Sequence, residues 1–138
     1  MCRAICAVVC PFSMSSRLDR ADYAFWRDRL ADANDHRFYP IEAIDDALEA
    51  GQAQFWCDGK AALVTMVRDW PGGARSVETI AGAGKMRALT GMVPEIETYA
   101  KAIGATRLMV IGRPGWVRVF LRFLTGWRHY QSILVKEV

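Results

Sequence analysis

The chain has 138 residues, of which 52% are hydrophobic and 24% charged, and its formal net charge is +3. This length and composition exclude an intrinsically disordered protein and predict one globular domain with a single core. The mild positive charge permits an anionic ligand, but nucleic acid is not expected as a partner, because the chain has no dense Lys/Arg block.

The N-terminal segment differs in character from the rest of the chain. Cys2, Cys6 and Cys10 recur every four residues, but a zinc site usually needs a closer pair and a fourth nearby ligand, so we predict no metal. Met14 begins a more ordinary opening sequence, MSSRLDRADYAFW. We interpret residues 1–13 as a non-native or disordered extension and residues 14–138 as the domain. No apolar run reaches the roughly 18 residues of a membrane span, so we expect a cytoplasmic protein.

Two helices are predicted to come first. Ser15 or Ser16 can cap a helix over residues 17–33, whose apolar residues recur near helical spacing. Pro40 suits the first turn of a second helix, which ends before Gly51. A meander of three antiparallel strands is then expected, over residues 54–57, over residues 61–68 and through Val77.

The stretch 74–104 is predicted to organise the domain. Gly82-Ala83-Gly84 is expected to break the third strand, and Lys85 and Met86 to open a helix that kinks or restarts near Val93 because of Pro94. A turn of small residues before a helix leaves backbone N–H groups unpaired at the positive end of its dipole, where a phosphate-bearing ligand binds. An ordinary tight turn explains the same spacing, because G-x-G alone is a weak motif.

The remainder of the chain alternates strand and helix. Residues 106–111 form a short apolar run typical of a buried strand, and a helix is expected over about 116–124. Residues 129–138 are predicted to form a terminal strand, because Ile133 and Val135 alternate with polar neighbours. The predicted order is therefore α-α-β-β-β-α-β-α-β, a mixed α+β fold.

This order resembles the GNAT superfamily of acyl-CoA N-acyltransferases over about residues 18–138. Gly82-Ala83-Gly84 matches the end of the family's (Q/R)-x-x-G-x-(G/A) turn, and residues 121–127 match its aromatic-Tyr-x-x-x-Gly-Phe segment. The resemblance implies a three-layer domain: a mostly antiparallel sheet, helices on both faces and a V-shaped splay between two central strands. The segments I-G-R-P-G-W, G-W-R and the closing K-E-V resemble small GNAT-like proteins of bacteriophages and prophages more closely than well-known acetyltransferases.

The resemblance also implies an activity, the transfer of an acetyl group from acetyl-CoA to an unidentified amine. The residues implied to hold the cofactor are Ile80, Ala81, Gly82, Ala83, Gly84, Lys85, Met86 and Arg87. Glu78 is a candidate general base, and Tyr130 is a candidate for returning a proton to the thiolate, as is Tyr99. Ordinary roles in solvation or packing explain these three residues as well.

Three departures from the family's pattern argue for a second interpretation. Thr79 stands where the family usually has Gln or Arg, and Gly112-Arg113 replaces a common Asn. Arg122 stands where the family often has a Tyr general acid, and an arginine does not give up a proton near neutral pH. The alternative is a catalytically silent phage or prophage GNAT-like protein that binds a protein partner or a ligand.

Two further groups of residues have open interpretations. Arg113, Arg118 and Arg122 form a basic cluster around the last helix, which is either a solvated face or a site for a nucleotide phosphate or an acidic partner. Cys57 has no acidic or histidine partner at a telling distance, so we interpret it as a strand residue and not as a nucleophile.

Overall fold

The computed structural model describes residues 20–37, 39–112, 114–130 and 134–138. The predicted extension over residues 1–13 and the serine caps at Ser15 and Ser16 lie outside these residues. Five helices and four strands occur in the described part of the chain, in the order α1 (Arg20–Ala33), α2 (Ile41–Glu49), β1 (Ala53–Cys57), β2 (Ala61–Asp69), β3 (Arg75–Gly84), α3 (Met86–Gly91), α4 (Val93–Ala102), β4 (Arg107–Val110) and α5 (Pro114–Phe123).

The strands form one mixed sheet in the order β1-β2-β3-β4. The first three are antiparallel neighbours, and β4 is parallel to β3. The turn between β1 and β2 forms because the Asp58 carboxylate accepts hydrogen bonds from the N–H groups of Lys60 and Ala61, at 2.8 and 3.0 Å. The predicted three-stranded meander is therefore confirmed.

Helices cover both faces of the sheet, as predicted for the fold class. On one face α1 and α2 pack on the sheet through a core that includes Leu30, Ile44 and Val64. On the other face the helices after β3 pack through a core that includes Val77 and Ile96. All five residues of β1 are buried, because the strand has a covered face on either side.

The helical stretch after β3 divides where its proline predicts. α3 ends at Gly91, and α4 begins at Val93 with Pro94 in its first turn. An N–H group in the first turn has no acceptor within the helix, so proline costs no hydrogen bond there. Gly104 follows α4 with a φ of 74°, a left-handed conformation that suits glycine at a helix end. Within the described residues no helix has both the length and the apolar character needed to cross a bilayer.

Two predicted elements differ in the structure. Gly82-Ala83-Gly84 is not a turn but the last part of β3, because its backbone pairs with residues 61–63 of β2. The terminal strand predicted over residues 129–138 is also wrong in its described part, since residues 129–130 and 134–138 are not in a strand. Val135 and its neighbour Leu134 are exposed, and Ile133 lies outside the described residues.

Candidate active site

The strands β3 and β4 pair over only part of their length. Their register runs from Ser76 opposite Arg107 to Thr79 opposite Val110, and β4 ends there. β3 continues through Ile80 to Gly84. Within the described residues no strand pairs with this last part of β3 on the β4 side, and we call the space beside it the gap.

A β-bulge lies in β3 at the point where the gap begins. Val64 of β2 is opposite Ala81 and the next residue, Thr65, is opposite Thr79, so Ile80 is an extra residue in β3. Ile80 is also the first β3 residue beyond the pairing with β4. Bulges commonly occur beside active sites, where they redirect the local backbone.

The edge of β3 that borders the gap carries backbone donors. The Lys85 N–H donates to the Lys60 carbonyl oxygen at 3.1 Å, so it points toward β2. Since N–H directions alternate along an antiparallel strand, the N–H groups of Gly82 and Gly84 point the other way, toward the gap. The predicted amide-rich surface is therefore a strand edge and not a turn before a helix.

An aromatic side chain closes the gap on the face that carries α5. A β-carbon added to Gly82 would lie 2.8 Å from Cη2 of Trp116, and one added to Gly112 would lie 3.1 Å from Cγ of the same indole. The Trp116 ring stacks on Phe120 with centroids 6.2 Å apart, and Phe120 meets Trp127 edge to face at 4.6 Å. The remaining cavity, about 10 Å³ for the centre of a water-sized sphere, holds about one water molecule.

The predicted cofactor-binding residues lie together around this gap. Ile80 to Gly84 form the free part of β3, and α3 begins at Met86. The Lys85 amide is already paired, so the first unpaired helical amides belong to Met86 and Arg87. The side chains of Lys85 and Arg87 are exposed and provide positive charge beside the glycines.

The candidate base, Glu78, lies on the opposite face of the sheet from the cavity. Its neighbours Val77 and Thr79 line the cavity, and side chains alternate along a strand. The Glu78 side chain is buried, and its Oε2 is 3.1 Å from Nη2 of Arg68. A carboxylate is thus present two residues before the bulge, but it is held in an ion pair.

The two candidate phenols have different surroundings. The exposed ring of Tyr130 is 4.6 Å from Cζ of Arg107, the first residue of β4. Tyr99 is buried against Trp56, with ring centroids 5.6 Å apart. Burial raises the pKa of Tyr99, which suits a packing role.

The basic residues around α5 are solvent-exposed where the structure describes them. Arg118 and Arg122 are exposed, and Cζ of Arg122 is 5.3 Å from the Phe123 ring, whereas Arg113 lies outside the described residues. Cys57 is a buried residue of β1, as interpreted from the sequence. The described residues contain no cluster of three or more metal-ligating side chains.

Two features of this region were not predicted from the sequence. One is the contact of a single indole with both glycine backbones at the gap, for which the only sequence signal was a tryptophan four residues after Gly112. The other is a group of polar and aromatic residues around Glu78 that includes Arg68 and Trp70. These residues are separated in sequence by the β2–β3 turn, so their spacing carried no motif.

No protein-family model matches the chain, and no curated protein is significantly similar to it. Several solved structures share its fold. A predicted acetyltransferase with acetyl-CoA from Clostridium acetobutylicum is 14% identical, with a TM-score of 0.63 over 87% of this chain and 92% of that one. The aminoglycoside N-acetyltransferase AAC(6')-Iy in complex with CoA is 10% identical, with a TM-score of 0.63 over 88% and 91%.

A third similar structure is glucosamine-6-phosphate N-acetyltransferase from Arabidopsis thaliana, which is 10% identical with a TM-score of 0.59 over 88% of this chain and 94% of that one. At these identities the likeness establishes the fold alone. The chain therefore has a GNAT-like fold, and its solved neighbours include acetyltransferases, two of them described with a CoA-type ligand.

Proposed function

We propose that this protein binds an acyl-CoA along the free edge of β3 and transfers the acyl group to an amine. The observation that carries the proposal is the coincidence of two features at Ile80. The bulge in β3 and the end of β3–β4 pairing fall on the same residue. The backbone there is therefore released from both neighbouring strands.

The residues on the free edge suit an acyl-CoA in two ways. The N–H groups of Gly82 and Gly84 offer donors to a ligand that carries amide carbonyls, in the manner of an added strand. The cations Lys85 and Arg87 and the first amides of α3 offer partners to phosphate oxygens. Acetyl-CoA is the acyl donor proposed, since a solved neighbour carries it.

The chemistry requires a proton acceptor for the attacking amine and a donor for the developing oxyanion. Backbone N–H groups around the Ile80 bulge are proposed as the donors. Glu78, two residues earlier, is proposed as the proton acceptor. Tyr130, whose exposed ring lies beside Arg107, is proposed as the acid that returns a proton to the thiolate.

A calorimetric titration with CoA and acetyl-CoA tests the binding step. We expect Lys85→Glu to weaken binding about tenfold, since it replaces a phosphate partner by a like charge. Lys101→Glu, which reverses an exposed charge at the end of α4, is the matched control and should bind as the unmodified protein does. An absence of binding by the unmodified protein would remove the proposal.

Gly84 is a poor choice for the same test. A β-carbon there would lie 2.4 Å from the Lys60 carbonyl oxygen and 2.6 Å from Cα of Ala61, and its φ is +106°. Any side chain at this position disrupts the pairing of β2 with β3, so a loss of binding would report misfolding.

The alternative function is a catalytically silent GNAT-like binding protein of the phage or prophage kind. Its supporting observation is the Trp116 indole, which covers the gap on the face that carries α5. Thiol release from acetyl-CoA in the presence of a panel of amines separates the two functions. Binding without release of thiol would favour the silent protein.

A further inference from the structure

A group of four residues lies on the sheet face opposite the cavity, at the β2–β3 end of the domain. We call Arg68, Trp70, Ser76 and Glu78 the Arg68 cluster. Cζ of Arg68 is 5.0 Å from the centre of the Trp70 ring, and Trp70 Nε1–H donates to Ser76 Oγ at 2.8 Å. The Glu78 side chain is only 7% exposed and forms the ion pair with Arg68.

These contacts hold the Arg68 guanidinium from two sides. The buried carboxylate lies at one edge, and the indole, itself fixed by Ser76, lies against it. The Arg68 side chain is nevertheless 52% exposed. In the described part of the chain the guanidinium has no polar partner besides Glu78, so most of its five N–H donors face solvent.

The neighbouring Arg75 shows what a purely structural arginine looks like in this region. Its Nε and Nη2 donate to the Asp69 carboxylate at 2.6 and 3.1 Å, and its Nη1 donates to the Ile103 carbonyl oxygen at 2.9 Å. The donors of Arg75 are thereby used inside the protein. Arg68 is held by one ion pair and the Trp70 ring, so more of its donors remain available to a ligand.

A positioned guanidinium with free donors is a binding group for carboxylates and phosphates, whose oxygens match its planar fork. Glu78 is two residues before Ile80, so the cluster begins roughly 7 Å from the bulge along β3. Trp116 closes the other face of the gap. On the face that carries Arg68, Ala81 is buried under α1 and α2, and Ile80 packs against the same core. An acceptor anchored at Arg68 therefore has to extend along β3 toward the edge that the gap exposes.

We propose that Arg68 binds an anionic group of the acyl acceptor. The substrate is then an amine that carries a carboxylate or a phosphate several carbon atoms from its nitrogen, because Arg68 contacts Glu78, which is roughly 7 Å from Ile80 along β3. This assignment rests on the proposed function, because it places the amine nitrogen at the bulge. Trp70 is a positioning residue, which acts through the guanidinium.

The first test measures binding of the anion without any acyl-CoA. The Nε–H resonance of Arg68, identified by its loss in Arg68→Gln, is followed by NMR while hexanoate, hexyl phosphate or hexylamine is added. We expect the two anions to shift this resonance in a saturable way and hexylamine to leave it unchanged. The carboxylate and phosphate arms show which anion the site takes.

The second test measures acetyl transfer to amines of matched length. We expect ε-aminocaproate or aminohexyl phosphate to have a KM about tenfold lower than hexylamine or hexamethylenediamine. Arg68→Gln should abolish this preference, and Trp70→Leu should weaken it. Arg29→Gln, at an exposed position of α1, is the control and should keep it. If Arg68→Gln proves unstable, Arg68→Lys takes its place. The lysine keeps the ion pair with Glu78 and should lose most of the preference.

The outcomes separate the two levels of the proposal. Anion-dependent shifts of Arg68 without acetyl transfer to any amine would overturn the proposed function and leave the anion site standing. Acetyl transfer without preference for the anionic amines would overturn the anion site and leave the function standing. A preference for hexamethylenediamine would also overturn it, because Glu78 would then bind a cationic acceptor in place of Arg68. If neither anion shifts the Arg68 resonance, the anion site is overturned whatever the transfer assay shows.

Discussion

The indole of Trp116 lies against the backbone of Gly82, where a β-carbon would be 2.8 Å from Cη2 of the ring. The same indole approaches Gly112, which follows β4. One side chain of α5 thus contacts the chain on both sides of the gap. At Gly82 a β-carbon would lie 2.8 Å from both the indole and Leu63, so one of them would have to move; at Gly112 the closest approach is 3.1 Å, which a small shift of the indole relieves.

Gly82→Ala should destabilise the protein by about 1–3 kcal/mol, because the new methyl group overpacks a filled space between Trp116 and Leu63. Chemical denaturation measures the change. Gly72→Ala is the control, since a β-carbon there has no atom within 4 Å. In a Trp116→Leu background the cost of Gly82→Ala should fall; equal costs in both backgrounds would show that the indole does not press on Gly82.

Glu78→Gln should lower kcat for acetyl transfer by at least about a hundredfold, because the amide cannot accept the proton of the attacking amine. Its effect on unfolding should stay within about 1 kcal/mol, since the Arg68 partner is half exposed. Steady-state kinetics with saturating acetyl-CoA measures the change, with Glu42→Gln on the exposed side of α2 as the control. A kcat within twofold of the unmodified enzyme would exclude Glu78 as the base.

Thr65→Val should cost about 2–4 kcal/mol although the side chains have nearly the same shape. The Thr65 hydroxyl accepts from Trp56 Nε1–H at 2.9 Å and donates to Gln54 Oε1 at 3.0 Å, and all three residues are buried. Valine leaves both partners unsatisfied in the core.

The control for this substitution is Thr98→Val on the exposed face of α4, whose hydroxyl donates to a helix carbonyl. Urea denaturation of both variants should show a large change for Thr65 and a small one for Thr98. Adding Gln54→Leu and Trp56→Phe to Thr65→Val should recover part of the loss, because no unpaired polar group then remains. Failure to recover would point to packing and not to hydrogen bonding.

The contact between α1 and α2 should make stability depend on pH at the alkaline end. The Tyr23 hydroxyl donates to Asp45 Oδ1 at 2.5 Å. The Arg27 guanidinium donates to both oxygens of the same carboxylate. Burial, with the Asp45 carboxylate adding to it, raises the pKa of Tyr23 well above its usual 10.0. Above about pH 10 only the unfolded tyrosine ionises, so the free energy of unfolding falls as pH rises.

Tyr23→Phe tests this dependence. The variant should lose about 1–2 kcal/mol at neutral pH, with the hydrogen bond to a charged group, and should lose less further stability between pH 10 and 12 than the unmodified protein. Thermal melts across this range measure both effects. Tyr130→Phe, at an exposed residue, is the control. Identical alkaline slopes for Tyr23→Phe and the unmodified protein would contradict the assignment.

The same contact should affect the acid end in the opposite sense. Burial acts to raise the pKa of Asp45, but the hydrogen bonds from Arg27 and Tyr23 outweigh it and hold that pKa below 3.8. The stability due to Asp45 is therefore present above about pH 4 and is lost as pH falls through its lower folded value. Asp45→Asn should flatten the acid limb of a melting profile, and an unchanged limb would contradict this.

The local elements could be predicted from the sequence because their signals are short-range. The Asp58-Gly59 turn, the two flanking strands, the second helix and the break at Pro94 all depend on residues within a few positions of one another. The alternation over residues 129–138 misled, because alternation shows what a strand needs and not whether a neighbouring strand is there to pair with it.

The site depended on contacts between distant parts of the chain. Gly82-Ala83-Gly84 reads locally as a turn, but pairing with β2 extends the strand through all three residues. Whether Glu78 faces the cavity could not be derived from alternation alone, since the orientation of the sheet between its helices decides it. The sequence by itself determined the order of elements and the fold class. Only the tertiary structure brought Trp116 across the gap and Arg68 to Glu78, because the energy of those contacts comes from packing between elements.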